Sequence, residues 1–206
     1  IFDFIVMVIY DIVNKEGMQM RKITALQITE AVKRLCIEAN CHLPQDMKYC
    51  IEDSYEEESW PQARDILERI MENYQIAEQE NRPICQDTGL ACVFVSIGQD
   101  VHVNGDLTEA IHEGVRQGYT EGYLRKSVVR DPIDRVNTGD NTPAMIYYDI
   151  VPGDKIEIIV APKGAGSENM SQIKMLKPSD GLQGVKDFIL QVVEEAGPNP
   201  CPPIVV

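Results

Sequence analysis

Between Arg82 and Gly89 the chain changes its hydrophobic period, and any fold it adopts must accommodate both sides of that change. Upstream, Ile28, Ala31, Val32, Leu35, Cys36 and Ala39 recur at three and four positions, which is one face of a helix beginning near Thr24. Leu43 and Pro44 open a second helix carrying Met47, Cys50 and Ile51 inward, and the acidic run at 52–58 reads as its solvated face. A third helix follows Ser59 and Pro61, with Ala63, Ile66, Leu67, Ile70, Met71 and Tyr74 on one side. Downstream, Leu90-Ala91-Cys92-Val93-Phe94-Val95 is a strand run, rich in β-branched and aromatic residues. The pattern predicts a mixed α and β (α+β) fold: an N-terminal helical layer, then a β-sheet domain with flanking helices.

The second half continues in that style. Strands are expected at 90–97 and 101–103, and a helix at 107–122. A long run of turn formers, Asn137-Thr138-Gly139-Asp140-Asn141-Thr142-Pro143, precedes a strand at 145–151. Pro152-Gly153-Asp154 then turns into a strand at 155–161, and these two strands are expected to pair as a hairpin. The glycine-rich stretch at 162–170 lies between a strand and a helix, where backbone N–H groups could hold an anion. It lacks the spacing of a Walker loop, and a plain strand-to-helix turn capped by Ser167 is the simpler reading. A last helix is expected at 184–195, ending at Gly197.

The 206 residues include 33 acidic and 19 basic side chains, for a net charge of −14, which argues against nucleic acid or an anionic membrane surface as the main partner. The six cysteines, at 36, 41, 50, 85, 92 and 201, form no CxxC pair and no tight ferredoxin spacing, so a reducing, cytoplasmic setting without disulfides is expected. Residues 1–13 are apolar but interrupted by Asp3 and Asp11, too short to span a bilayer and without a signal-peptide pattern, so that 1–19 as a whole is set aside. They read as a non-native or miscalled extension ahead of Met18 or Met20. That leaves 20–206 as the functional region, which stops within a strand-like Ile204-Val205-Val206 and so reads as truncated.

The turn itself carries the chemistry. Pro83 biases Arg82 toward extended backbone, and Gly89 permits a reversal before the strand. Read locally, Cys85 is open between a small half-buried thiol and a functional group. Its neighbours favour function, because Gln86 and Asp87 are costly to bury for packing alone.

Five stretches in order, Pro83-Ile84-Cys85-Gln86-Asp87-Thr88-Gly89, Leu124-Arg125-Lys126-Ser127-Val128-Val129, the run at 137–143, the run at 161–171 and Gly197-Pro198-Asn199-Pro200-Cys201-Pro202-Pro203, resemble the α subunit of class I iron–sulfur fumarate hydratase. That family is shared with L(+)-tartrate dehydratase, and the resemblance runs from about Met20 to Val206. It implies a hydro-lyase interconverting fumarate and L-malate, or acting on tartrate to give oxaloacetate. It also implies a [4Fe–4S] cluster held by three cysteines with one iron open to substrate; Cys85 and Cys201 match two ligands, and the third lies outside this chain. By the same resemblance Asp87 is the candidate acid or base, Gln86 orients the dicarboxylate, Arg125 clamps a carboxylate, and Lys163, Gly164 and Gly166 line the site. Ala165 stands where the family loop has glycine. Cys36, Cys41, Cys50 and Cys92 match no ligand motif. The implied partners are a β subunit or β region, a small dicarboxylate and further αβ units, with no nucleic acid and no membrane. From other function classes, a non-catalytic assembly subunit and an anion-binding module are the competing readings.

Overall fold

The computed structural model describes residues 6–8 and 20–200. Its elements run β1 (Val6–Val8), β2 (Arg21–Thr24), α1 (Ala25–Cys41), α2 (Gln45–Glu57), α3 (Pro61–Glu80), β3 (Leu90–Gly98), β4 (Val101–Asn104), α4 (Leu107–Glu121), β5 (Met145–Val151), β6 (Ile156–Lys163), a short α5 (Ala165–Glu168), a 3₁₀ turn (Pro178–Asp180) and α6 (Gly181–Ala196). The α+β expectation is met. Within the stretch set aside as an extension, Val6–Val8 form the edge strand β1, antiparallel to β6; the rest of 1–19 lies outside the described residues.

The helical layer divides in two. Thr24 starts α1 with a capping box: the Gln27 N–H donates to Thr24 Oγ1 at 3.3 Å, and the Thr24 N–H donates to Gln27 Oε1 at 2.9 Å. From there α1 packs with α4 over one face of the main sheet, and the stripe Ile28, Val32, Leu35, Cys36 meets Ile111, Val115 and Tyr119. The helices approach closely because α4 presents Gly114 and Gly118, where an added Cβ would lie 2.7 Å from Val32 Cβ and 2.8 Å from Cys36 Cβ. Cys36 is wholly buried there, as its place in the stripe requires, and burial pushes its thiol up to about 12. By contrast α2 and α3 form a side pair with a small core of Leu43, Ile51 and Tyr74. Cys50, expected inward, is exposed, and so is Ile66. The α2–α3 contact is narrow, and Ile51 and Tyr74 already fill it.

The main sheet has the order β1-β6-β3-β5, and a separate pair joins β2 to β4 in parallel. The expected hairpin of β5 and β6 does not form. Both flank β3, β5 in parallel and β6 antiparallel. The reason lies in the side chains of β3: Ala91, Val93 and Val95 are buried on the helix side while Cys92 is buried on the opposite face, so this strand takes a central seat. Strand β5 bears Tyr147, Tyr148 and Ile150 largely exposed and takes the edge. The connection between β5 and β6 crosses the end of β3, where the Gly98 N–H donates to Lys155 O at 2.8 Å and the Asp100 N–H to Gly153 O at 2.9 Å. An added Cβ on Gly98 would lie 2.2 Å from Gly153 O, so the crossing requires a glycine there. The last helix starts three residues earlier than expected, at Gly181 rather than 184, and closes at Gly197 with φ 54° as expected.

Candidate functional site

The Cys85 turn is fixed at both ends. At its entry the Ile84 N–H donates to Asn40 O, beside the last turn of α1, at 2.8 Å, and Asn73 Nδ2 of α3 donates to Ile84 O at 2.8 Å. At its exit Gly89 takes φ +63° beneath the end of β6, where an added Cβ would lie 2.2 Å from Lys163 O. Between these anchors Cys85 and Gln86 are exposed. The Asp87 N–H donates to Cys85 Sγ at 3.4 Å, and the Cys85 thiol lies 3.5 Å from Gln86 Oε1.

Asp87 is the hub. Its Oδ1 accepts the Gly89 N–H at 3.1 Å, its Oδ2 accepts the Ala165 N–H at 2.9 Å, and Arg125 Nη1 stands 3.9 Å from Oδ1. A single carboxylate thereby joins three segments far apart in sequence: the Cys85 turn, the Arg125 segment and the glycine-rich loop. Gly164 is close as well, since a Cβ added there would lie 3.5 Å from Asp87 Oδ2. Lys163 ends β6 opposite Leu90 in the ladder, at the same end of the sheet. Gly166 lies one residue beyond the Ala165 contact, inside α5. The loop was expected to offer its N–H groups to a bound anion, but the one at Ala165 is taken by the chain's own Asp87. Ser167 falls within α5, and Cys201 lies outside the described residues.

The sequence motifs give no role to the residues behind this surface. Thr88, only 3 % exposed, accepts the Arg125 N–H on its Oγ1 at 2.9 Å and donates the hydroxyl to Arg125 O at 3.1 Å. The fully buried Tyr119 donates its hydroxyl to Thr88 O at 2.8 Å, and burial raises its ionisation so far that it stays a neutral donor. Asn141, also fully buried, holds Gly89 O through Nδ2 at 3.1 Å and accepts the Ser127 and Val128 N–H groups on Oδ1 at 2.6 and 3.2 Å. The available signal was Asn141's place in a run of turn formers, since asparagine tolerates the left-handed φ of 62° found there. Its neighbour Asp140 anchors that run on α4 through Arg116 Nε at 3.1 Å. Partial burial opposes ionisation of Asp140, yet hydrogen bonds from the Thr142 N–H and hydroxyl and from Arg116 hold its carboxyl down at about 2.

Comparison with known proteins fits this arrangement. The family model described as fumarate hydratase (Fumerase) matches residues 29–206. The chain belongs to the fumarate hydratase family. A relative named putative L(+)-tartrate dehydratase subunit alpha, from Methanocaldococcus jannaschii, is 44% identical over 188 residues, 88% of this chain and 66% of the relative. L(+)-tartrate dehydratase subunit alpha from Escherichia coli strain UTI89 is 32% identical over 184 residues, 87% of this chain and 60% of the relative. The chain therefore spans somewhat under two thirds of the length of these relatives.

For a member of the fumarate hydratase family, the donor at Cys85 suits an iron–sulfur cluster. Its sulfur is exposed and receives a backbone N–H, the kind of hydrogen bond that stabilises a ligating thiolate. Cys36, Cys41 and Cys92 are buried, and Cys50 is exposed on α2. Among the described residues no helix is long and apolar enough to cross a membrane.

Proposed function

We propose that this chain is the α subunit of a hydro-lyase that reversibly hydrates fumarate to L-malate. The observation that carries the reading is the convergence on Asp87 of the Cys85 turn, the Arg125 segment and the 163–165 loop, in a chain of this family. A [4Fe–4S] cluster, when bound, supplies a Lewis-acidic iron with an open coordination position. By the family resemblance, Cys85 and Cys201 would hold it together with a third cysteine that is not among these residues.

The chain's own groups bind and orient. Arg125, 63 % exposed at its side chain, presents a planar fork suited to two-pronged binding of a substrate carboxylate. Gln86, exposed beside Cys85, orients the dicarboxylate from the other side. Lys163, Gly164 and Gly166 bound the site along the loop. Asp87 holds or releases a proton at a carboxylate oxygen, and the two N–H groups that tether it, one on each oxygen, fix the orientation of the carboxylate. A β subunit supplies the partner in proton transfer, and αβ units associate further in the cytoplasm.

A second reading, conversion of L(+)-tartrate to oxaloacetate, is favoured by the names of both relatives described above. Co-expression with the β partner, anaerobic reconstitution with iron and sulfide, and assays on fumarate and on L(+)-tartrate decide between them. The expected result is turnover of fumarate, with loss of cluster absorbance in Cys85→Ser and its retention in Cys92→Ser. Full activity of Cys85→Ser refutes the site; exclusive turnover of tartrate selects the second reading.

A further inference from the structure

We propose that Thr88 and Asn141 are the positioning residues of the carboxylate clamp, acting through the main chain of Arg125 and the residues that follow it. The inference deepens the reading of Arg125 as that clamp and rests on it.

The Arg125 side chain is mostly exposed, and its nearest ion-pair partner, Asp87, stands at 3.9 Å, so the side chain does not set its own place. Nor does regular structure, because residues 124–128 belong to no helix or strand. The segment is tied at its ends by the Leu124 N–H to Tyr119 O at 3.1 Å and the Thr138 N–H to Val128 O at 3.0 Å, and in its middle by Asn137 Nδ2 to Lys126 O at 3.0 Å. The groups that hold the Arg125 peptide itself and join the segment to the Cys85 turn are two buried polar side chains. The Thr88 hydroxyl is both acceptor and donor to the Arg125 peptide groups, at 2.9 and 3.1 Å. The Asn141 carboxamide accepts from the next turn of chain at Ser127 and Val128 and donates to Gly89 at the end of the Cys85 turn.

Each task needs a group that gives and takes a hydrogen bond at once. Valine offers neither function, and aspartate in place of Asn141 would set a carboxylate oxygen against the Gly89 carbonyl. Because these side chains are 3 % and 0 % exposed, no water replaces a lost bond without rearrangement. The spacing between the Cys85 turn and the Arg125 segment is thereby set from the buried side.

The test uses the full chain assembled with its β partner and compares Thr88→Val, Thr88→Ser and Asn141→Gly. The last removes the carboxamide yet keeps the left-handed backbone accessible, and so covers the case in which Thr88→Val fails to fold. Thr88→Val and Asn141→Gly are expected to raise KM for the dicarboxylate about ten- to a hundredfold, more than they lower kcat. Thr88→Ser is expected to regain most of that affinity. In a double variant with Arg125→Lys the effects fall short of multiplying, because both act on one group. Hydrogen exchange at the Arg125 amide, read irrespective of turnover, is expected to quicken about tenfold or more in Thr88→Val and not in Thr88→Ser, with α1 and α4 unchanged. A Thr88→Val protein with wild-type KM, or with fully multiplicative effects, overturns the proposal. Unchanged Arg125 exchange also overturns it. Absence of any turnover in the wild type strikes the hydro-lyase reading instead, and the exchange measurement still decides this one.

Discussion

Replacing Gly89 with alanine tests the crossing on which the site is built. The added Cβ would lie 2.2 Å from Lys163 O and 2.3 Å from Lys163 C, more than an ångström inside ordinary contact, and both atoms belong to the backbone. No side-chain rotation relieves such an overlap, so the Cys85 turn and the end of β6 must separate. Left-handed backbone costs alanine about 1–2 kcal/mol, and forcing atoms into a packed space adds about 1–3 kcal/mol. Gly139 supplies the control, because its φ is +85° and nothing lies within 4 Å of an added Cβ. Gly139→Ala therefore carries the backbone cost alone. At about 2–4 °C per kcal/mol for a chain of this size, Gly89→Ala is expected to melt about 5 °C below Gly139→Ala. Thermal and urea unfolding of the two variants side by side give the measurement, and any gain from stiffening the unfolded chain cancels between them. Equal destabilisation by the two substitutions would show that the turn and β6 do not meet as described.

Arg125→Lys keeps the charge and loses the fork, and is expected to raise KM for the dicarboxylate about tenfold or more with cluster absorbance intact; unchanged kinetics would assign Arg125 to a structural ion pair. Alkylation of the native chain followed by peptide mapping is expected to label Cys50 and Cys85 quickly and Cys36, Cys41 and Cys92 only after unfolding; early labelling of Cys36 would contradict its burial beneath α4. Asp140, held at about 2 in the folded chain, contributes stability that is present above the ordinary carboxylate range and lost as pH falls through about 2. Asp140→Asn is thus expected to cost about 1–2 kcal/mol at pH 7, discounted for partial exposure. In acid titrations that difference should narrow from about pH 4 and close only below about pH 2, and a gap that stays at its full size down to pH 2 would refute the assignment.

What the sequence made legible was local. The stripe of α1, its start near Thr24, the extent of α4 and the strand after Gly89 follow from spacing that neighbouring residues share. The hairpin of β5 and β6 was misjudged because Pro152-Gly153-Asp154 has the look of a tight turn. The competition between β3 and β6 for the side of β5 is decided by burial on both faces of β3, which no local window displays. Cys85, Asp87 and Arg125 were reached through motifs, while Thr88 and Asn141 were passed over. Their work is done on the backbone of segments 37 and 52 residues away, through hydrogen bonds that exist only once the chain is folded.

The placement of β6 beside β3 also orders events during translation. The Cys85 turn emerges early, but its carboxylate has no seat until Ala165 has been made, and Gly89 has no roof until Lys163 is in place. A nascent chain halted anywhere before β6 exposes the cysteine turn without the loop that fixes Asp87, with β3 lacking one neighbour. The seating of Asp87 is therefore a late step, one that waits on sheet completion rather than on the appearance of the turn that carries it.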